Sequence, residues 1–106
     1  MKREPVRGEV CLADLGMAAK VRPVLVVSAA LGDADYALVA VVPHTTSSHG
    51  SKYGVALRIP ALKPGSFNLQ GLLAVPTAKF IRHLVDLNLI QMQEINAALK
   101  RWLCLD

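Results

Sequence analysis

Arg22 stands directly ahead of an unbroken apolar run, Val24 to Val27, with only Pro23 between them. Further along, "PHTTSSHGSK" gathers the hydroxyls of Thr45, Thr46, Ser47 and Ser48 between His44 and His49. A guanidinium carries five donors in a rigid fork and does not lose its proton, so it binds and stabilises anions. Threonine and serine hydroxyls can add neutral donors to the same anion, and histidine titrates near neutrality. Each stretch also has an ordinary role: a solvated charge at a strand end, and a polar turn whose hydroxyls bond their own backbone. Other chemistries lack their residues. There is no glycine-rich phosphate loop, no Cys-x-x-Cys and no His-Glu-x-x-His. His44 and His49 have no neighbouring carboxylate or cysteine to complete a zinc set, and His83 stands alone. No nucleophile elbow frames a Ser-His-Asp triad. No metal and no organic cofactor is therefore expected.

What positions these groups is a succession of short strands. "RGEVCLADLG" alternates after Gly8 and closes at Gly16, and "VRPVLVVS" reads as a second strand, buried on both faces. Asp33 and Asp35 make a turn, Tyr36 to Val42 form a third strand, and Pro43 ends it. "YGVALRIP" alternates as a half-buried strand, "ALKPGSFN" is a turn on Pro64-Gly65, and "LQGLLAVP" and "TAKFIRHL" add two more strands. From Asn88 the period changes. Asn88 and Gln91 have capping-box spacing, and Leu89, Met92, Ile95, Leu99 and Trp102 recur at helical intervals, predicting a helix over 88–103. Six short strands and a terminal helix describe a small, strongly bent sheet or barrel. If the second and third strands pair antiparallel, the start of one lies beside the end of the other, making Arg22 and Thr45 neighbours.

The chain of 106 residues is read as one domain, 1–106. It is 53% apolar and only 19% charged, enough for a core with apolar surface left for a second copy. A net charge of +4 favours a polyanionic partner. "MKREPVRGEV" lacks the apolar segment of a secretory leader, and no run is long enough to span a bilayer. A cytoplasmic protein is expected, with Cys11 and Cys104 buried and reduced.

"GEVCLADLG", "KVRPVLVVS" and "VVPHTTSS", in that order and at short spacing, resemble the MazF/PemK family of toxin endoribonucleases from bacterial toxin–antitoxin modules. The family pattern runs Gly-(Asp/Glu)-(Val/Ile)-Trp, then Arg-Pro-x-x-Val-(Leu/Val)-Ser, then Val-Pro-x-Thr-(Thr/Ser). Cys11 replaces the tryptophan, the connection "LGMAAKV" is short, and "AVPTAKFI" lacks a late-strand Asp-Gln, with Lys79 as its basic residue. The resemblance implies a small SH3-like β-barrel of the CcdB/PemK kind with a C-terminal α-helix, acting as a homodimer. It implies that the chain cuts single-stranded RNA at short sequence motifs and is held by a cognate antitoxin, an acidic and partly disordered peptide. Arg22 and Thr45 fall on the family's catalytic pair, with Lys20, Pro23, His44, Thr46, Ser47, Ser48, Lys52 and Lys79 expected to contact RNA. Elementary chemistry agrees with a metal-free site, because RNA carries its own nucleophile in the 2′-hydroxyl beside each phosphate. In-line attack puts added charge on a phosphorane, which a fixed guanidinium suits.

Two other classes remain open at this level. A gyrase poison of the CcdB type shares the barrel and acts through a C-terminal tryptophan, for which Trp102 is placed, although its helical spacing fits core packing. A non-catalytic RNA-binding barrel would use Lys20, Lys52 and Lys79 as phosphate contacts, but such modules favour more aromatic stacking residues than this chain carries.

Overall fold

The computed structural model describes residues 1–16, 18, 20–47 and 50–105. The first strand, β1 (Glu9–Asp14), starts after Gly8, whose φ of +93° lies in the region that glycine enters freely. Strand β2 (Val21–Val26) pairs antiparallel with it, Val10 opposite Leu25 and Ala13 opposite Arg22. β3 (Leu38–Thr45) pairs antiparallel with β2, Val26 opposite Val41 and Val24 opposite Pro43. β4 (Gly54–Val55) and β5 (Ser66–Asn68) form a small hairpin, and β5 pairs with the end of β3. β6 (Leu73–Pro76) covers the first half of β3, and β7 (Phe80–Asp86) lies along β1.

Among the described residues the sheet has seven strands where the sequence predicts six, and the differences have local causes. Pro43 does not end β3, which runs on to Thr45. At Pro43 the outer neighbour changes from β6, paired as far as Val41, to β5, which starts at His44. A missing N–H is tolerated in such a gap. Tyr36 and Ala37 fall outside the strand. In "YGVALRIP" the burial alternates as expected, with Val55 and Ile59 buried, but only Gly54–Val55 is paired. Carried further, the β4–β5 register would meet Pro64, which has no donor. The predicted turn "ALKPGSFN" contains β5, and Thr77–Lys79 is a 3-10 turn ahead of β7, not strand.

The hydrogen-bonded path runs β4-β5-β3-β2-β1-β7 with β6 branching from β3, so its ends do not meet and the sheet is bent without being closed. β6 and β7 are nevertheless joined by only the 3-10 turn Thr77–Lys79, so the sheet is curled. Alternate residues of its central strands enter two cores. Cys11, Val24, Val26, Val39, Val41, Val75 and Phe80 fill one of them. Val10, Leu25, Val27 and Val42 face the other way and meet α1 (Leu89–Leu103) through Met92, Ile95 and Ala98. Asn88 caps α1 as expected: its side chain accepts the Gln91 N–H while Gln91 Oε1 accepts the Asn88 N–H, both at 2.8 Å. Trp102 packs against this second core and against Tyr53, ring centroids 5.0 Å apart. Cys11 is buried as expected and burial raises its pKa to about 11, whereas Cys104 is exposed at the end of α1; both thiols are free. Among the described residues no helix is long and apolar enough to cross a membrane.

Candidate active site

The β2–β3 pairing ends at Val24 and Pro43; continued two positions further, its register would set Arg22 opposite Thr45. Residues opposite one another in an antiparallel pair share a face. β3 has left β2 by this point: His44 pairs with Phe67 and Thr45 with Ser66 of β5, so the two strands diverge there. The divergence opens two cavities that share the segment from His44 to Ser47. One, of about 380 Å³, is lined by Arg22, Pro23, His44 and Thr46 together with Lys63 and Arg82. The other, of about 300 Å³, is lined by Thr45 and Ser47 with Ser51, Ser66, Asn68 and Gln70.

Thr45 is held from behind by the Pro64-Gly65 turn. A Cβ at Gly65 would lie 2.1 Å from the Thr45 carbonyl oxygen and 3.0 Å from the His44 ring, so only glycine allows this approach. The Thr45 hydroxyl accepts the Ser47 N–H at 3.1 Å and donates to the Ser47 carbonyl at 3.2 Å. This is the local turn bonding that such a loop is expected to show. His44 is 5% exposed and sets its ring edge-on to Phe67, centroids 5.0 Å apart. Burial pushes its pKa down, so it meets the cavity as a neutral ring, and its Nε2 has no hydrogen-bond partner among the described residues.

The other expected contacts are dispersed. Lys20 is exposed in the turn before β2, with a φ of +50°. Lys52 lies over the Tyr53 ring at 5.3 Å and lines a different cavity, beside Lys100 and Arg101 at the end of α1. Lys79 sits on the 3-10 turn between β6 and β7, in neither of the two cavities. Ser48 lies outside the described residues, as does His49. In place of those lysines the fold brings Lys63, from a turn, and Arg82, from β7, to Arg22. No local pattern marks these two; only the strand order brings them together.

His83, isolated in the sequence, is not isolated in the fold. Its Nε2 lies 2.7 Å from Asp86 and 3.8 Å from Glu9. Register shifts in the β1–β7 pairing fall at this place, and such bulges re-aim side chains. Glu9 is already engaged by Arg3, at 2.5 Å, and by the Val6 N–H, and the Arg3 hydrogen bond is the main reason its pKa is lowered.

The fold is a bent antiparallel sheet backed by one terminal helix, with Arg22 and Thr45 on the two central strands. Residues 6–103 match the model of the PemK-like, MazF-like toxins of type II toxin–antitoxin systems, and the chain belongs to that family. An endoribonuclease in complex with its cognate antitoxin, from a mycobacterial species, is 27% identical over 96% of this chain and 97% of its own, with a TM-score of 0.82. A second mycobacterial endoribonuclease is 26% identical over 97% of this chain and 94% of its own, with a TM-score of 0.80. The MazE–MazF complex of Deinococcus radiodurans shares the fold at 18% identity, with 99% of this chain and all 100% of that one covered and a TM-score of 0.82. No curated protein sequence matches significantly.

Proposed function

We propose that this chain is the toxin of a type II toxin–antitoxin module and acts as a metal-independent, sequence-specific endoribonuclease on single-stranded RNA. The observation that supports this reading is that Arg22 lines a cavity with Lys63 and Arg82 while Thr45 lines the neighbouring one, on the two strands whose register, if continued, would bring the pair across from each other. The substrate supplies the nucleophile. Its 2′-oxygen loses a proton and attacks the adjacent phosphorus in line, and the bond to the 5′-oxygen breaks as that oxygen takes up a proton. The products are a 2′,3′-cyclic phosphate and a 5′-hydroxyl end. Arg22 offers paired donors to the charge that builds on the phosphorane, and the Thr45 hydroxyl turns from Ser47 to a non-bridging oxygen. Lys63 and Arg82 hold the flanking phosphates.

The mycobacterial relative bound to its antitoxin supports a cognate antitoxin here, an acidic, partly disordered peptide that covers the basic cavity. We read the curled sheet as an SH3-like barrel that lacks its last pairing, in a homodimer working in the cytoplasm. The gyrase-poison alternative loses support because Trp102 is packed against Tyr53 and the core.

The test is direct. Purified protein in excess EDTA should cut a mixed single-stranded RNA, leave 2′,3′-cyclic phosphate ends and spare the DNA copy. Loss of cleavage with the chelator, or equal cutting of DNA, would contradict the 2′-hydroxyl mechanism.

A further inference from the structure

Glu9, His83 and Asp86 come together because β7 carries one residue too many at this place. Val10 pairs with Val85 but Cys11 pairs with His83, so Leu84 is the extra residue of a bulge. Side chains three apart on a regular strand face opposite ways. With Leu84 out of register, His83 and Asp86 face the same side, and Asp86 stands opposite Glu9. Arg82, opposite Leu12, lines with it the Arg22 cavity on the other side of the same strands. We propose that Glu9, His83 and Asp86 form a zinc site, which lies apart from the two cavities beside Arg22 and Thr45 and does not depend on the endoribonuclease reading.

One ligand atom from each residue already forms a small triangle, all three within 4.8 Å of one another. His83 Nε2 lies 2.7 Å from Asp86 Oδ1 and 3.8 Å from Glu9 Oε2. Zinc bonds of about 2.0 Å at tetrahedral angles set ligand atoms about 3.3 Å apart, so the first gap must widen and the second close by about half an ångström each. The accessible side chains can make that adjustment: Asp86 is 70% exposed and His83 35%. An imidazole with two carboxylates suits zinc, whereas calcium and magnesium take oxygen ligands. Water completes the coordination. Glu9 is the anchor, 6% exposed, with its Oε1 aimed by the Val6 N–H at 2.8 Å. A buried carboxylate needs a compensating cation. Arg3 supplies it, donating to Oε1 at 3.0 Å and to Oε2 at 2.5 Å. Zinc would take Oε2 in its place, and the half-exposed guanidinium would pass to water. The ion would then tie the start of β1 to the end of β7.

The experiment uses the untagged full chain, stripped of metal, with Cys104→Ser so that the exposed thiol takes up no zinc. Zinc chloride is added in a calorimetric titration and in thermal melts. One zinc per chain should bind, and the melting temperature should climb with zinc concentration, as it does for a ligand held by the folded state alone. Loss of an outer-shell partner already weakens a metal site by about tenfold to a hundredfold, so His83→Gln and Asp86→Asn should each weaken binding by at least about tenfold. Both side chains are accessible, so neither exchange disturbs a core. Arg3→Ala removes the competing guanidinium and should tighten binding several-fold. No zinc bound at submillimolar concentration, an affinity that either ligand exchange leaves unchanged, or an Arg3→Ala variant that binds no tighter would overturn the site. Each of those results would leave Glu9, His83 and Asp86 as an ion-pair cluster around Arg3, with the endoribonuclease reading untouched.

Discussion

Arg22→Lys is the decisive exchange at the scale of single residues, because it keeps the charge and removes the planar fork. Cleavage should fall by on the order of 10²-fold or more, the scale of losing one oriented donor to a transition state. RNA binding should fall far less, since one phosphate contact among several keeps its charge. Thr45→Val keeps the shape, deletes the hydroxyl and should behave alike. Unchanged cleavage in Arg22→Lys would return the arginine to a solvated strand-end charge. His44 makes a separate prediction about stability. Burial holds its pKa below the usual 6.5, so as pH falls through that value the unfolded chain takes up a proton that the folded chain refuses. Stability therefore declines below about pH 6.5 and levels off below the folded pKa. Glu9 adds a second acid loss at lower pH: the Arg3 hydrogen bond lowers its pKa from 4.5, so its contribution is present above that value and fades as pH falls through the folded one. Thermal melts at about pH 7.5 and about pH 5 should show a smaller drop for His44→Phe than for wild type. An equal drop would remove His44 as the cause.

Gly65 shows how an element can act on the site without touching substrate. A methyl there would lie 2.1 Å from the Thr45 carbonyl, so in Gly65→Ala either the turn or the end of β3 must shift. Displacing a reacting group by about an ångström can cost on the order of 10²-fold in rate, and cleavage should fall on that scale while RNA binding changes little. A variant that cuts as wild type does would show that the turn yields instead of the strand. The elements also differ in how well they could be read. α1 was legible because a capping box and a long period-3.6 stripe reinforce one another. β5 was not, because three residues carry no period and Pro64-Gly65 just before them marks a turn. Sequence alone ends β3 at Pro43, and only the change of neighbour there explains why the strand runs on. The antiparallel order of β2 and β3 was legible, but their pairing ends at Val24 and Pro43, and Arg22 and Thr45 line adjacent cavities. Lys63, Arg82, Asn68 and Gln70 come from separate segments with no local mark, so nothing short of the fold could gather them.

For the molecule as a whole, exposed apolar side chains are the main clue to assembly. Leu89 and Ile90 are more than two-thirds exposed at the start of α1, and Ile81 is half exposed on β7. A small domain gains stability by burying such groups against a second copy. Sedimentation at micromolar concentration should give a dimer, and a stable monomer at that concentration would count against the homodimer proposed above.

The two-sided burial of the sheet has one more consequence. In most sheets a strand that slides by a single residue turns its oily side to water, and that cost corrects the error. Here β2 presents Val24 and Val26 to one core and Leu25 and Val27 to the other, so sliding would merely exchange one set of branched apolar groups for another. Hydrophobicity alone polices this strand weakly, and the burden of proofreading passes to punctuation: Gly8, Pro23 and the register shifts against β7. A misaligned β2 would still fill both cores, yet Arg22 would leave the cavity that it lines with Lys63 and Arg82. For this toxin, being folded and being dangerous are separately encoded.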